Sequence, residues 1–185
     1  MQEVEAARSH NALTIYIDQA KFYDAPDLRA MWVLKGQPAE VVTTRSGRQK
    51  IMVYGAYCPQ LKWLYTEVVP EETNIETASF LIALRIRFPY RRLDIVLDNA
   101  PWHSGATLRE ITQTYHLHLH YLPSYSPDLN PIEPLWLWTR QEKTYNTEYN
   151  SAQVKEQELV SFWQTIGSQV ANLETRLVPT FTIDS

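Results

Sequence analysis

The chain has 185 residues, 44% hydrophobic and 21% charged, with a net charge of −4, which is an ordinary globular composition for one core and short for two full domains. A single cysteine, Cys58, excludes an internal disulfide framework and any cysteine-rich zinc module. No apolar run approaches the roughly 20 residues of a membrane helix, and the opening MQEVEAARSHNA lacks the basic and apolar regions of a signal peptide, so a reduced, cytoplasmic protein without a membrane partner is expected.

The elements follow in order. LTIYI (13–17) alternates β-branched and aromatic residues and predicts a strand that ends at Asp18. FYDAPDLRAMWVLKGQPA reads as loop, broken by Pro26, Gly36 and Pro38. RQKIMVYGAYC and KWLYTEVV read as two strands joined by a short turn at Pro59 and Gln60. TNIETASFLIALRIRF opens with Thr73 and Glu76 in capping-box spacing and predicts a helix. LDIVLDNA has the continuous apolar centre of a strand buried on both faces. GATLREITQTY predicts a helix, and LHLHYLP a short strand with His116, His118 and His120 on its solvent side and Leu117, Leu119 and Tyr121 inward. NPIEPLWLWTRQEKTY predicts a helix with Asn130 as N-cap and Pro131 at its first position. A last helix over 152–177 places Leu159, Phe162, Trp163, Ile166, Val170 and Leu173 on one stripe.

Three strands, a helix, a strand, a helix, a strand and then helices predict an α/β fold. Its sheet is mixed and five-stranded, an antiparallel meander joined to strands reached by helical crossovers. The expected organisation is a tail over 1–12, a core over 13–145 and a helical extension over 146–185 packed on it.

Asp18 and Asp98 each end a strand. If those strands are parallel neighbours, both carboxylates emerge at one sheet edge, where open α/β sheets place their ligands. Glu133, after the next strand and loop, could close the same corner. Three carboxylates at one spot repel unless cations lie between them, and oxygen-only ligands suit Mg2+ or Mn2+. Two such ions can activate a water and stabilise a leaving oxygen in phosphodiester cleavage. Each acid also has a plainer reading: Glu133 as the partner in a capping box with Asn130, Asp18 as a strand terminus, and Asp98–Asn99 as an Asx turn. Asp24, Asp27 and Asp128 stay open as alternatives. Asp94, four residues before Asp98 and so about 13 Å along the strand, cannot share a metal with it.

VLDNAPWH followed by YLPSYSPDLNPIEPLW resembles the signature of the acidic-triad (DDE) transposases of the mariner-type superfamily and its bacterial insertion-sequence relatives, with 34 residues between Asp98 and Glu133. The resemblance covers roughly 13–145. It implies an RNase H-like fold, as in retroviral integrases, in agreement with the element order. It also implies a triad of Asp18, Asp98 and Glu133 holding a pair of Mg2+ ions, with Mn2+ able to substitute. The implied activity is metal-dependent cleavage of DNA at transposon ends followed by 3′-hydroxyl attack on target DNA, in a homo-oligomeric synaptic complex and, in a bacterium, at the nucleoid.

The family usually has Glu where this chain has Gln19, which predicts a modified site with Gln19 beside the ligands rather than among them. Asn99, His103 and Asn130 are further candidates for holding a ligand or a phosphate in place. Arg45, Arg48 and Lys50 around a glycine turn, with Arg91 and Arg92, are the candidate DNA contacts. Helix-turn-helix modules normally precede the family's core, whereas about a dozen residues precede the first strand here. DNA recognition is therefore expected from a separate domain or chain, the present one being an excised domain, a split-frame product or a repurposed remnant. The rival functions are an endonuclease of the same fold without strand transfer, and a catalytically silent DNA-binding or regulatory protein.

Overall fold

The computed structural model describes residues 12–177 except 39, 42, 45, 46 and 125, with the backbone alone at 170–172. The expected tail lies outside the described residues apart from Ala12, which opens the first strand. Five strands, β1 (Ala12–Tyr23), β2 (Lys50–Cys58), β3 (Trp63–Val69), β4 (Arg92–Leu97) and β5 (Leu117–Tyr121), form one sheet in the order β3-β2-β1-β4-β5. β1, β2 and β3 are the antiparallel meander, and β4 and β5 add parallel to β1. The parallel steps are made through α1 (Asn74–Arg87) and α2 (Ala106–Thr114). Three helices follow: α3 (Glu133–Thr139), α4 (Ala152–Gly167) and α5 (Val170–Arg176). This is the RNase H-like mixed sheet flanked by helices.

Strand alternation divides the core into two layers. Leu13, Ile15 and Ile17 of β1, with Tyr54 and Ala56 of β2, pack under Phe80, Leu81 and Leu84 of α1. Ala20 and Phe22 of β1, with Val53 and Tyr57 of β2, pack against Trp136 of α3, Trp163 and Ile166 of α4 and Leu173 of α5. α1 starts as its sequence predicts: the Thr73 hydroxyl accepts from Glu76 N at 3.2 Å.

Four local expectations change. β1 does not stop at Asp18. Its first part pairs with β4 as far as Tyr16, and residues 16–23 remain a strand because β2 pairs with all of them. Asn130 is not the N-cap of α3, which begins at Glu133, with Ile132 preceding it and no side-chain cap. The Asn130 amide instead donates to Ile17 O of β1 at 3.1 Å. The last helix is two helices, separated at Ser168 and Gln169. In the histidine run, His116 lies before β5 with φ of 51°, and His120 is turned onto the buried carboxylate of Asp94 at 2.9 Å. Tyr121, expected inward, is 45% exposed.

Candidate active site

Asp18 sits where β1 loses β4 as a partner. The parallel register runs from Ala12↔Arg92 to Tyr16↔Val96. Continued by two residues it brings Asp18 level with Asp98, the first residue beyond β4. Asp18 shares a face with Ala20 and Phe22, the face that α3 covers, and the first turn of α3 supplies Glu133. The three carboxylates line one cleft of about 410 Å³, which Leu122, Pro123, Ser124, Ser126 and Pro127 from the segment after β5 also line. The proline-rich stretch therefore does two jobs. It walls the cleft, and through Asn130 it hooks the start of α3 to the β1 backbone one residue before Asp18. Asn130 is 3% exposed, and its own carbonyl accepts from Glu133 N at 3.1 Å, so a single residue ties Asp18 and Glu133 together.

Each acid has a distinct setting. Burial, then the charge of Glu133, pushes the Asp18 carboxyl up to about 7. Trp136 Nε1 donates to Asp18 Oδ2 at 2.8 Å. Burial and the nearby Asp98 charge raise Glu133 as well, offset in part by Arg140 and by hydrogen bonding to Asp18. Asp98 is more exposed and lies below its usual range, chiefly because His103 Nδ1 donates to its Oδ1 at 2.6 Å, with Ala100 N on the same oxygen at 3.1 Å. His103 itself is almost fully buried, its carbonyl accepting from Tyr121 Oη at 2.7 Å.

Gln19 Nε2 stands 3.0 Å from His103 Nε2. An amide donating there leaves the imidazole proton on Nδ1, facing Asp98. A glutamate at position 19 would accept from Nε2–H instead. Gln19 thus bonds His103 from the side away from Asp98 and does not line the cleft. Asn99 donates to Leu122 O and joins the loops after β4 and β5 at the cleft rim.

In this conformation no three His, Cys, Asp or Glu side chains among the described residues are placed to hold a metal ion. Asp98 is turned onto His103, and Asp18 is held by Trp136. In kind, the donor set fits a hard divalent cation. It offers oxygen ligands alone, two of them raised first by burial and then by a neighbouring carboxylate, whose repulsion a cation would relieve.

A family model described as DDE superfamily endonuclease matches residues 14–154. The chain belongs to this family. It is 29% identical over 178 residues to the Tc3 transposase of Caenorhabditis elegans, covering 89% of this chain and 54% of that protein. Its fold resembles a Mos1 transposase paired-end complex with the left transposon end, at a TM-score of 0.67 and 20% identity, over 95% of this chain and 56% of that one. It also resembles a Mos1 mariner paired-end complex with Mn, at a TM-score of 0.64 and 20% identity, over 89% of this chain and 53% of that one. The chain thus spans about half the length of these relatives.

Within this DDE superfamily domain the basic candidates separate. Arg48 and Lys50 are exposed at the start of β2, on the sheet end toward which β1 carries Asp18. Arg91 and Arg92 lie at the opposite end of β4 from Asp98, about 20 Å along the strand. Arg45 lies outside the described residues. Of the other acids, Asp24 is buried and accepts from Gln49 N at 3.2 Å, and Asp27 accepts from Thr144. Asp128 raises Glu133 without lining the cleft. Trp136 and Trp138 read in the sequence as anchors of their helix to the sheet, and the contact of Trp136 with Asp18 and the role of Gly55 beneath it come only from the structure. The Leu-Trp-Leu-Trp run signals burial only, and the partners of Gly55 are remote in sequence.

Proposed function

We propose that this chain is the catalytic core of a DNA transposase, cutting phosphodiesters at element ends and joining the freed 3′-hydroxyl to target DNA. The observation that carries the proposal is the convergence of Asp18, Asp98 and Glu133, from two strands and a helix, on one open cleft. Residues 13–145 would form the core and 146–185 a helical extension packed on it.

Asp18, Asp98 and Glu133 would hold divalent cations, Mg2+ or Mn2+, in keeping with the Mn named for the related Mos1 complex. Bound there, a pair of such ions would activate the attacking oxygen and stabilise the leaving one. The protein's own share is positioning and charge. His103 holds the Asp98 carboxylate by one oxygen. Asn130 fixes Glu133 relative to β1. Burial and the charge of Glu133 raise the Asp18 carboxyl to about 7, so a bound cation would compete with a proton there. Ser124 and Ser126 give the cleft hydroxyl groups that can bond phosphate or sugar oxygens.

The partners would be transposon-end and target DNA, a second copy of the chain in a synaptic complex, and a separate DNA-binding domain or chain, with which the net charge of −4 is in keeping. A metal-dependent cleavage assay on element-end DNA tests the enzyme, with loss in Asp98→Ala expected and unchanged cutting contradicting it. Joined products from pre-cut ends separate a transposase from a plain endonuclease.

A further inference from the structure

Asp18 lies opposite Gly55 in the antiparallel β1–β2 register. A Cβ at Gly55 would stand 2.7 Å from Ile132 Cδ1, 2.7 Å from Trp136 Cη2 and 2.9 Å from Trp136 Cζ2. These distances are shorter than real Cβ contacts allow, so the absent side chain is what lets the Trp136 ring lie against β2. The ring is 3% exposed and packs edge-on against the aromatic rings of Phe22 at 6.5 Å and Trp163 at 6.3 Å between centroids, contacts that a phenyl ring at position 163 keeps in kind. An indole N–H can only donate. Trp136 directs it at Asp18 Oδ2, 2.8 Å away.

We infer that Trp136, seated on Gly55, is a positioning residue for the metal site: its indole N–H holds one oxygen of Asp18 so that the carboxylate meets the cation in a single orientation. The inference rests on the reading of Asp18 as a metal ligand. The indole bond fixes the rotation of the Asp18 carboxylate, because the ring that donates it is itself held by packing on both sides. Partners of this kind that hold a metal ligand commonly change metal affinity by about 10- to 100-fold when removed.

The test is a Mn2+ titration of the full chain followed by electron paramagnetic resonance, with thermal unfolding alongside. Trp136→Phe keeps an aromatic ring and removes the donor, and about 10- to 100-fold weaker Mn2+ binding is expected. Trp163→Phe is the control. It removes a comparable buried indole bond, to Thr139 Oγ1 at 2.9 Å, in the same cluster, and should leave Mn2+ affinity within about twofold while lowering stability. Gly55→Ala should reproduce the affinity loss in the wild-type background. It should add little further affinity loss to Trp136→Phe, which has already lost the indole donor and the two Trp136 atoms of the clash, although Ile132 Cδ1 must still shift. Equal Mn2+ affinity in Trp136→Phe and wild type, or an equal loss in both tryptophan variants, overturns the inference and leaves the proposed function standing. Wild-type Mn2+ binding that is absent, or that Asp98→Ala does not change, overturns both.

Discussion

Asp18 and Asp98 stand at the same level of two parallel neighbouring strands, although only one of those strands ends there. β4 stops at Leu97 and leaves Asp98 to the following loop, where His103 and Ala100 hold it, while β1 runs on against β2 and carries Asp18 in the ladder. One acid is therefore fixed, buried and raised, and the other is exposed and held low by a histidine.

The raised Asp18 carboxyl has a consequence for stability. The folded state binds its proton more tightly than the unfolded chain, so its unfavourable contribution is absent below about pH 4, grows as pH rises, and is complete above about pH 7. Asp18→Asn should therefore stabilise the metal-free protein near pH 8 by roughly 1–3 kcal/mol, reduced for the exposure Asp18 keeps, and leave it unchanged near pH 4. Thermal unfolding at the two pH values measures this. A variant destabilised at both would contradict it.

Metal binding should show the opposite pH trend. A cation must displace the Asp18 proton, so apparent affinity for Mg2+ should fall as pH drops below about 7, by up to about tenfold per unit. Calorimetry near pH 8 and near pH 6, in buffers of different ionisation enthalpy, gives both the affinity and the proton released.

His103→Ala should lower cleavage by about 10- to 100-fold by loosening Asp98. His120→Ala removes a similar bond, to Asp94 at 2.9 Å, from a carboxylate that does not line the cleft. It should leave the rate per folded molecule unchanged. Single-turnover cleavage of the two variants, normalised by the folded fraction, decides the matter.

Arg48 and Lys50, exposed at the start of β2 and about 17 Å beyond Asp18 along the β1–β2 ladder, should contact DNA phosphates. Replacing either with Ala should weaken binding for all sequences alike and lower the slope of log affinity against log salt by about 1. Fluorescence anisotropy across a salt series reads the slope.

The five strands were legible because alternation and helix-start residues are local signals, and the strand ends they mark point to Asp18 and Asp98, which line the cleft with Glu133. β1 looked shorter than it is because polar Asp18, Gln19 and Lys21 interrupt the apolar run. The alternation in fact continues through Ala20 and Phe22, which enter the second core. Asn130 resembled an N-cap because the sequence before Pro131 carries that pattern. It could not reveal that the backbone of Ile17, 113 residues away, would take the amide. The break after Gly167 was marked by the glycine but masked by the apolar stripe on either side. Trp136 and Gly55 acquire their meaning from each other and from Asp18 across three elements, and no local pattern encodes that relationship.

The central claim is that Asp18, Asp98 and Glu133 form one metal centre. The most direct measurement is anomalous scattering from crystals soaked with Mn2+, wild type beside Asp98→Ala. The account predicts Mn2+ bound between the three carboxylates in the wild type and lost in the variant. Mn2+ at the β5 histidines, or an anomalous signal at the cleft unchanged by Asp98→Ala, would contradict it.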